Sequence, residues 1–298
     1  MQERAGTREA ALRTGALLSD RLPPRAVPFL GEQRMLAVGS VDDRGGISAS
    51  VLFGARGFVS STDGDVVVVD RTRVHVDHDD PLWSNLRVDV EIGLLAIELS
   101  SRRRLRVNGL VIAMDEERIE VRVREAYPNC PKYIQRRHLH ERAHAAPVAG
   151  GPASGAQLDE LRSRVVERAD TLFVASRHPV RGLDVSHRGG APGFVRVLDS
   201  GRLRVPDYPG NNMFNTLGNF AVDERASLAF LDFDRGRLLQ MTGTVMLQPS
   251  GEEDLRRPTG GTGRYWDFRI SRWIELPVVA SFAWELLEYS PNNPSVPG

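Results

Sequence analysis

The sequence predicts a mainly β chain, built as two tandem β-barrels with short α insertions. Three observations lead there. First, the chain aligns with itself. At an offset of 136 positions, Leu36–Ser40 falls on Leu172–Ser176, and Ile47–Val59 falls on Leu183–Val195 without a gap. At 134 positions, Leu86–Val111 falls on Phe220–Val245, matching Val88, Asp89, Leu94, Leu105, Gly109 and Val111 to Val222, Asp223, Leu228, Leu239, Gly243 and Val245. A period of about half the chain means two copies of one domain, not a solenoid. Second, β-branched residues recur with period two. Third, tight turns separate these runs, which favours antiparallel barrels.

Ala10, Leu12, Leu17 and Leu18 recur at helical spacing, so residues 8–20 read as a short helix. Leu22-Pro-Pro-Arg-Ala-Val-Pro28 breaks it, and Pro28–Arg34 reads as a further helical turn. Strands are expected at 35–41, 47–51, 57–60, 65–69, 93–98, 105–113 and 119–123, with turns such as Asp42–Gly46 and Thr62–Gly64 between them. Leu82–Val90 reads as a helical insertion. Lys132–His144 reads as a helix, Ala145–Gly155 as a linker by composition, and Gln157–Arg168 as an amphipathic helix. The strand order then repeats at 171–176, 183–186, 194–198, 203–206, 227–232, 238–247, 264–274 and 283–289, with Phe214–Phe220 as the second helical insertion. The expected domains are 1–147 and 148–298.

The 298 residues carry 39 basic and 39 acidic side chains, so the net charge is zero and nothing points to nucleic acid. No apolar run is long enough to span a bilayer, and the first residues lack the order of a signal peptide. One cysteine, Cys130, excludes an internal disulfide and a cysteine-rich metal site. A cytoplasmic protein without membrane or nucleic-acid partners is expected.

The copies differ where chemistry would sit. Ser186-His187-Arg188-Gly189-Gly190 in the second copy is Ser50-Val51-Leu52-Phe53-Gly54 in the first. Strand alternation puts Ser186 and Arg188 on one face and His187 on the other. Gly189 and Gly190 let a flat ligand approach the backbone, or merely ease a bend. Gly210-Asn211-Asn212 is read as opening a helix, whose free N–H groups suit a phosphate. Leu217-Gly218-Asn219 and a strand bearing Gln240 and Thr242 complete the polar set.

Together these segments, from Ser186 through Asn219 to Leu238-Leu-Gln-Met-Thr-Gly243, resemble the pyridoxamine 5′-phosphate oxidase-like, FMN-binding split-barrel family. The likeness is close over residues 171–247 and looser over 35–137. That branch also carries an Asn-Cys-Pro-x-x-Ile segment after its barrel; here Asn129-Cys-Pro-Lys-Tyr-Ile134 follows the first copy. Family members are homodimers with FMN between barrels, so the resemblance implies a dimer fused into one chain. One flavin site would lie at one seam, and the chain would be a monomeric pseudo-dimer or a homodimer.

The resemblance implies that Ser186, Arg188, Gly189 and Gly190 line the flavin ring or ribityl chain, with Asn219 and Gln240 beside them. Gly210, Asn211 and Asn212 would hold the phosphate. The family's better-known members place Ser/Thr, Arg and Lys in that loop. The asparagines bring no charge, so it must come from Arg188 or, across the seam, from Lys132, Arg136 or Arg137. His187 and Arg188 are the candidate catalytic residues, although His187 also reads as an ordinary strand-surface histidine. The implied function is an FMN-dependent oxidoreductase acting on a small molecule, with NAD(P)H or oxygen as electron partner. The alternatives are a non-catalytic flavin carrier and a haem-binding or haem-degrading protein of the same fold.

Other polar clusters have plainer readings. His138-Leu-His140-Glu-Arg-Ala-His144 has metal-like spacing on a helix but reads as a solvated helix end. His75–Asp80 reads as a polar loop, and Arg102-Arg103-Arg104 as a solvated turn. Cys130 reads as a packing thiol at a helix start. Trp266, Trp273 and Trp284 read as core or interface residues, one of which could cover a flavin face.

Overall fold

The computed structural model describes residues 18–75, 78–141, 150–249, 258–278 and 282–294. The helix expected at 8–20 falls largely outside them, as do His144 and residues 145–149 of the stretch read as a linker. The fold is mainly β and antiparallel. The first half holds β1 (Met35–Val41), β2 (Ile47–Phe53), β3 (Val59–Ser60), β4 (Val66–Asp70), β5 (Glu91–Glu98), β6 (Arg103–Met114) and β7 (Arg118–Pro128). Then come β8 (Arg136–Glu141) and β9 (Ala153–Gly155). The second half holds β10 (Thr171–His178), β11 (Gly182–Gly189), β12 (Arg196–Asp199), β13 (Arg202–Pro206), β14 (Arg225–Asp232), β15 (Arg237–Leu247) and β16 (Tyr265–Pro277), and β17 (Phe282–Glu288) ends the described chain.

The first sheet runs β2-β1-β5-β6-β7-β4-β3, and the second runs β11-β10-β14-β15-β16-β13-β12. The two orders correspond position for position. Strand β9 adds to β16, so residues 153–155 form a strand where the composition reads as linker.

Each sheet wraps its own core. Leu36, Val38, Leu94, Val107 and Val121 pack inside the first, and Leu172, Val174, Leu228, Trp266 and Phe268 inside the second. A third core lies between them and draws on both halves: Ala37, Val51 and Leu95 meet Phe173, Val185 and Leu231. This explains why every residue of β1 and β2 is buried. One face of each strand points into its own barrel and the other into the seam. Strand β4, by contrast, alternates half-buried and buried valines, as one-sided burial requires. At Gly39 the halves come so close that a Cβ would lie 2.7 Å from Val185 Cγ2.

The helices are short: α1 (Ala26–Gly31), α2 (Pro81–Asn85), α3 (Glu160–Arg168) and α4 (Asn215–Phe220). Asp80 caps α2 by accepting from the Leu82 N–H, with Pro81 at the first helical position. The insertion expected to reach Val90 stops at Asn85, and Asp89 turns the chain at φ 65°. Asp159 caps α3 through the Arg162 N–H.

The helix expected at 132–144 is not there. Tyr133 sits at φ 65°, and residues 136–141 form β8, paired antiparallel with β17. The partner strand lies some 145 residues along the chain, and pairing with it overrides the local pattern. His138 and His140 therefore sit two apart on a strand, their rings 4.5 Å apart. Among the described residues, no cluster of His, Cys, Asp or Glu could hold a metal ion, and no helix is long and apolar enough to cross a membrane.

Candidate functional site at one seam

A cavity of about 100 Å³, open to solvent, lies at the seam where β11 meets β6 and the segment after β7. The first half contributes Arg104, Arg106, Asn129, Cys130, Lys132 and Tyr133. The second contributes Ser186–Gly189, the loop Asp207–Phe214, the start of α4, and Arg264.

The pleat of β11 sorts its side chains. Ser186 accepts from Thr216 Oγ1 at 3.0 Å, and Arg188 Nη1 donates to Asp207 Oδ1 at 3.0 Å. His187 turns the other way, edge-on to Phe173 in the seam core. Asp207 also takes Arg264 Nε at 2.9 Å, so one carboxylate holds two guanidinia.

Arg106, on β6, donates to Asp184 Oδ2 at 3.0 Å and Tyr127 Oη at 2.9 Å. Asn108 adds a 3.3 Å bond to the same Asp184. Burial is the largest single effect on Arg106 and opposes its charge, but Asp184 and Tyr127 together outweigh it and raise its pKa. Burial lifts Tyr127 to about 12.

Arg104 differs. Its Nε and Nη2 donate to the Cys130 carbonyl at 2.9 and 2.5 Å, and Nη1 approaches His187 Nδ1 at 3.2 Å. Every one of these partners is neutral. Burial first, then Arg106 and Arg188, push Arg104 down to about 9, still charged at neutral pH. His187 is buried, and burial, then Arg104, Arg188 and Arg137, hold it well below its usual value. It is therefore neutral near pH 7.

Of the residues expected from the sequence, Lys132, Ser186, His187, Arg188, Gly189, Gly210, Asn211 and Asn212 line the cavity. Four do not. Gly190 packs under Phe194, where a Cβ would be 2.6 Å from the Phe194 Cβ. Arg136 is tied to the Ser100 carbonyl and Glu288. Asn219 donates to Ser176 Oγ at 3.0 Å, and Asn85 does the same to Ser40 Oγ in the first half, also at 3.0 Å. A bond present in both halves belongs to the scaffold. Gln240 lies at the opposite seam, bonded to Ser50 and Asp80. Arg137, also considered, pairs with Asp170.

Two physical expectations also change. What crowds Gly189 is protein: a Cβ there would fall 2.0 Å from the Tyr133 carbonyl oxygen. The loop Gly210–Phe214 does not open a helix. Asn212 and Phe214 take left-handed φ values of 59° and 56°, and α4 begins only at Asn215. The three tryptophans lie elsewhere: Trp266 and Trp273 in the second core, Trp284 against Phe53 and Phe233.

Sequence reasoning missed Arg104, Arg106, Asp207 and Arg264. Arg104 and Arg106 carried a signal, since two arginines flanking Leu105 on a strand share one face. At the opposite seam the position matching Arg106 is the neutral Gln240, although Arg44 and Arg272 line the hollow beside it. There Asp80 Oδ1 accepts from Ser50 Oγ at 2.5 Å, and Oδ2 from Gln240 Nε2 at 2.8 Å. Ser50 and Gln240 stand where Ser186 and Arg106 stand in the other register. A broader hollow of about 480 Å³ lies beside them, its charged residues including Asp42, Asp43 and Arg44 of the β1–β2 turn.

No family model matches the chain, and no curated protein does. Solved structures do resemble it. HupZ from Group A Streptococcus is 12% identical with TM-score 0.31, covering 38% of this chain and 90% of that one. A candidate pyridoxamine 5′-phosphate oxidase from Lactobacillus delbrueckii is 12% identical with TM-score 0.32, covering 40% and 94%. HutZ, a haem storage protein from Vibrio cholerae, is 15% identical with TM-score 0.24, covering 35% and 89%. These similarities leave the chemistry of the cavity to be read from its own side chains.

Proposed function

We propose that the seam cavity binds FMN, one per chain, and that the protein is a flavin-dependent oxidoreductase acting on a small molecule. The observation that carries this reading is the charge of the cavity. Five cationic side chains line it (Arg104, Arg106, Lys132, Arg188 and Arg264), drawn from both halves, against one lining carboxylate, Asp207. Such a wall suits a phosphorylated ligand. The donor set fits as well, because Arg188 Nε and Arg106 Nε are buried without partners. Arg188 and Arg264, beside the Gly210–Asn212 loop, would hold the phosphate. Ser186, Gly189 and Tyr133 would bound the ring, which exceeds the cavity and must extend through its open side.

When bound, the flavin supplies the hydride or electron transfer. The chain binds, orients and sets the charge. His187, neutral and buried, acts as a positioning residue that holds Arg104, and is not placed to exchange protons with solvent. A haem reading finds less support: among the described residues His187 is the one histidine lining this cavity, and by donating to its Nδ1, Arg104 leaves a proton and no lone pair on Nε2. The chain acts as a monomeric pseudo-dimer in this reading, both walls of the site coming from one polypeptide. Titrating FMN into the protein while following quenching of flavin fluorescence tests the binding. NAD(P)H oxidation by the loaded protein then separates an enzyme from a carrier.

A further inference from the structure

The segment after β17 returns to the seam and grips the cavity wall from behind. Tyr133, which lines the cavity, holds a left-handed φ of 65°. A tyrosine keeps such a conformation only where its surroundings over-determine it. Here both of its backbone groups are held. Its N–H donates to Ser290 Oγ at 3.2 Å, and its carbonyl accepts from Gln135 Nε2 at 3.1 Å. Gln135 is buried and also donates to the Gly190 carbonyl at 3.1 Å, which ties the wall to the turn after β11. The same segment fixes Gln135 in turn. Gln135 Oε1 accepts from the Ser290 N–H at 2.7 Å, and its amide exchanges bonds of 3.3 and 3.1 Å with the amide of Asn293. A Cβ on Gly260 would meet Pro209 at 3.0 Å and Pro294 at 3.7 Å, so the segment ends beside the residue whose carbonyl takes the Tyr133 hydroxyl. This grip is polar. Ser290 is buried, Pro291 and Asn292 are exposed, and Ser290–Pro294 contains no large apolar side chain. A segment held by a few hydrogen bonds opens locally at far less cost than the whole fold.

We propose that Ser290–Pro294 is a latch on the cavity. Ser290 and Asn293, acting on Tyr133 directly and through Gln135, hold the wall closed, and the ligand enters and leaves when the segment lets go. Once released, Tyr133 relaxes out of its left-handed conformation. Its hydroxyl then leaves the Pro209 carbonyl, 2.9 Å away, and its ring leaves that of Tyr208, 5.0 Å away. These two contacts bridge the walls of the cavity, so their loss opens it. Ser290 and Asn293 do not line the cavity and are positioning residues. The identity of the ligand rests on the flavin reading. The latch does not, because it is built from bonds within the chain.

The test follows hydrogen exchange at the Tyr133 and Ser290 amides of the full chain without FMN, with Val174 in the middle of β10 as the reference for global unfolding. Tyr133 and Ser290 are expected to exchange together, faster than Val174 and with little dependence on low urea, as local opening requires. Asn293→Ala should speed both by about two- to ten-fold, the scale of one net hydrogen bond. Continued protection of Val174 shows that the variant is folded. Stopped-flow FMN binding then reads the gate. A gate moves association and dissociation together and leaves Kd nearly constant, whereas a lost contact moves Kd. Both rates should rise by a similar factor in Asn293→Ala and in Ser290→Ala. Asn292→Ala, at an exposed position of the same segment, should change neither rate. Exchange of Tyr133 and Ser290 only in step with Val174, on the same urea slope, would overturn the latch. So would unchanged FMN rates in both variants, or a loss of affinity without faster association. If FMN does not bind at all, the flavin reading fails by itself, and hydrogen exchange alone decides the latch.

Discussion

Arg104 Nη1 lies 3.2 Å from His187 Nδ1 and 3.3 Å from the His187 carbonyl oxygen, joining β6 of the first half to β11 of the second. Arginine only donates, so Nδ1 accepts and the imidazole proton sits on Nε2. That Nε2 is buried and has no partner. The histidine best placed by sequence for proton transfer is thus fixed as a neutral acceptor.

This sets a pH dependence. The folded pKa of His187 lies below the ordinary value of 6.5. Below pH 6.5 the unfolded chain therefore binds a proton that the folded chain refuses, and stability falls as pH drops toward the folded pKa. Above pH 6.5 the effect is fully present and flat. Urea midpoints of wild type and His187→Gln at pH 7.5 and 5.0 check this. Wild type should lose more on acidification, and parallel losses would remove His187 from the account.

Arg188→Ala should weaken FMN binding by about 1.5–3 kcal/mol, the range for hydrogen bonds to a charged group. Arg56→Ala should leave it nearly unchanged, because Arg56 is an exposed side chain paired with Glu32 on the first-half surface. Fluorescence titration of both variants decides it. Equal losses would place the site in the wrong half.

The Arg106–Asp184 pair is almost fully buried, with side-chain exposures of 9% and 5%. Removing one member leaves an uncompensated charge between the halves. Asp184→Leu should therefore cost about 3–5 kcal/mol of stability. Replacing both, as Arg106→Met with Asp184→Leu, should recover much of that loss. If the double variant is no more stable than Asp184→Leu, the pair does not act as a unit.

Much of this was legible in the sequence, for a physical reason. Period-two burial writes itself into residue order, so the strands and their repetition could be read from positions such as Leu172–Ser176 and Leu36–Ser40. What could not be read depended on distant partners. Residues 136–141 become a strand only because β17 returns beside them. Arg104 looks like a turn residue until the Cys130 carbonyl and His187 enclose it. Asn219 and Gln240 are as polar as ligand residues. Their partners, Ser176 and Asp80, show that the scaffold uses them instead.

One FMN per chain is expected, and the structure of the opposite seam gives the reason. Asp80 there fills the space beside Ser50 with its own carboxylate, which accepts from Ser50, Gln240 and the Leu82 N–H. A phosphorylated ligand would have to displace a buried anion and would find Gln240 where the other seam offers Arg106. Both the occupant and the charge are wrong, so the two seams cannot bind alike. Quenching of flavin fluorescence against protein concentration should break at one FMN per chain. Asp80→Ala should leave that ratio at one, because it removes the occupant without supplying a cation, while loosening α2 through loss of its cap. A break at two FMN per chain in wild type would show that charge does not decide between the seams, and the assignment of the site to β11 would fall with it.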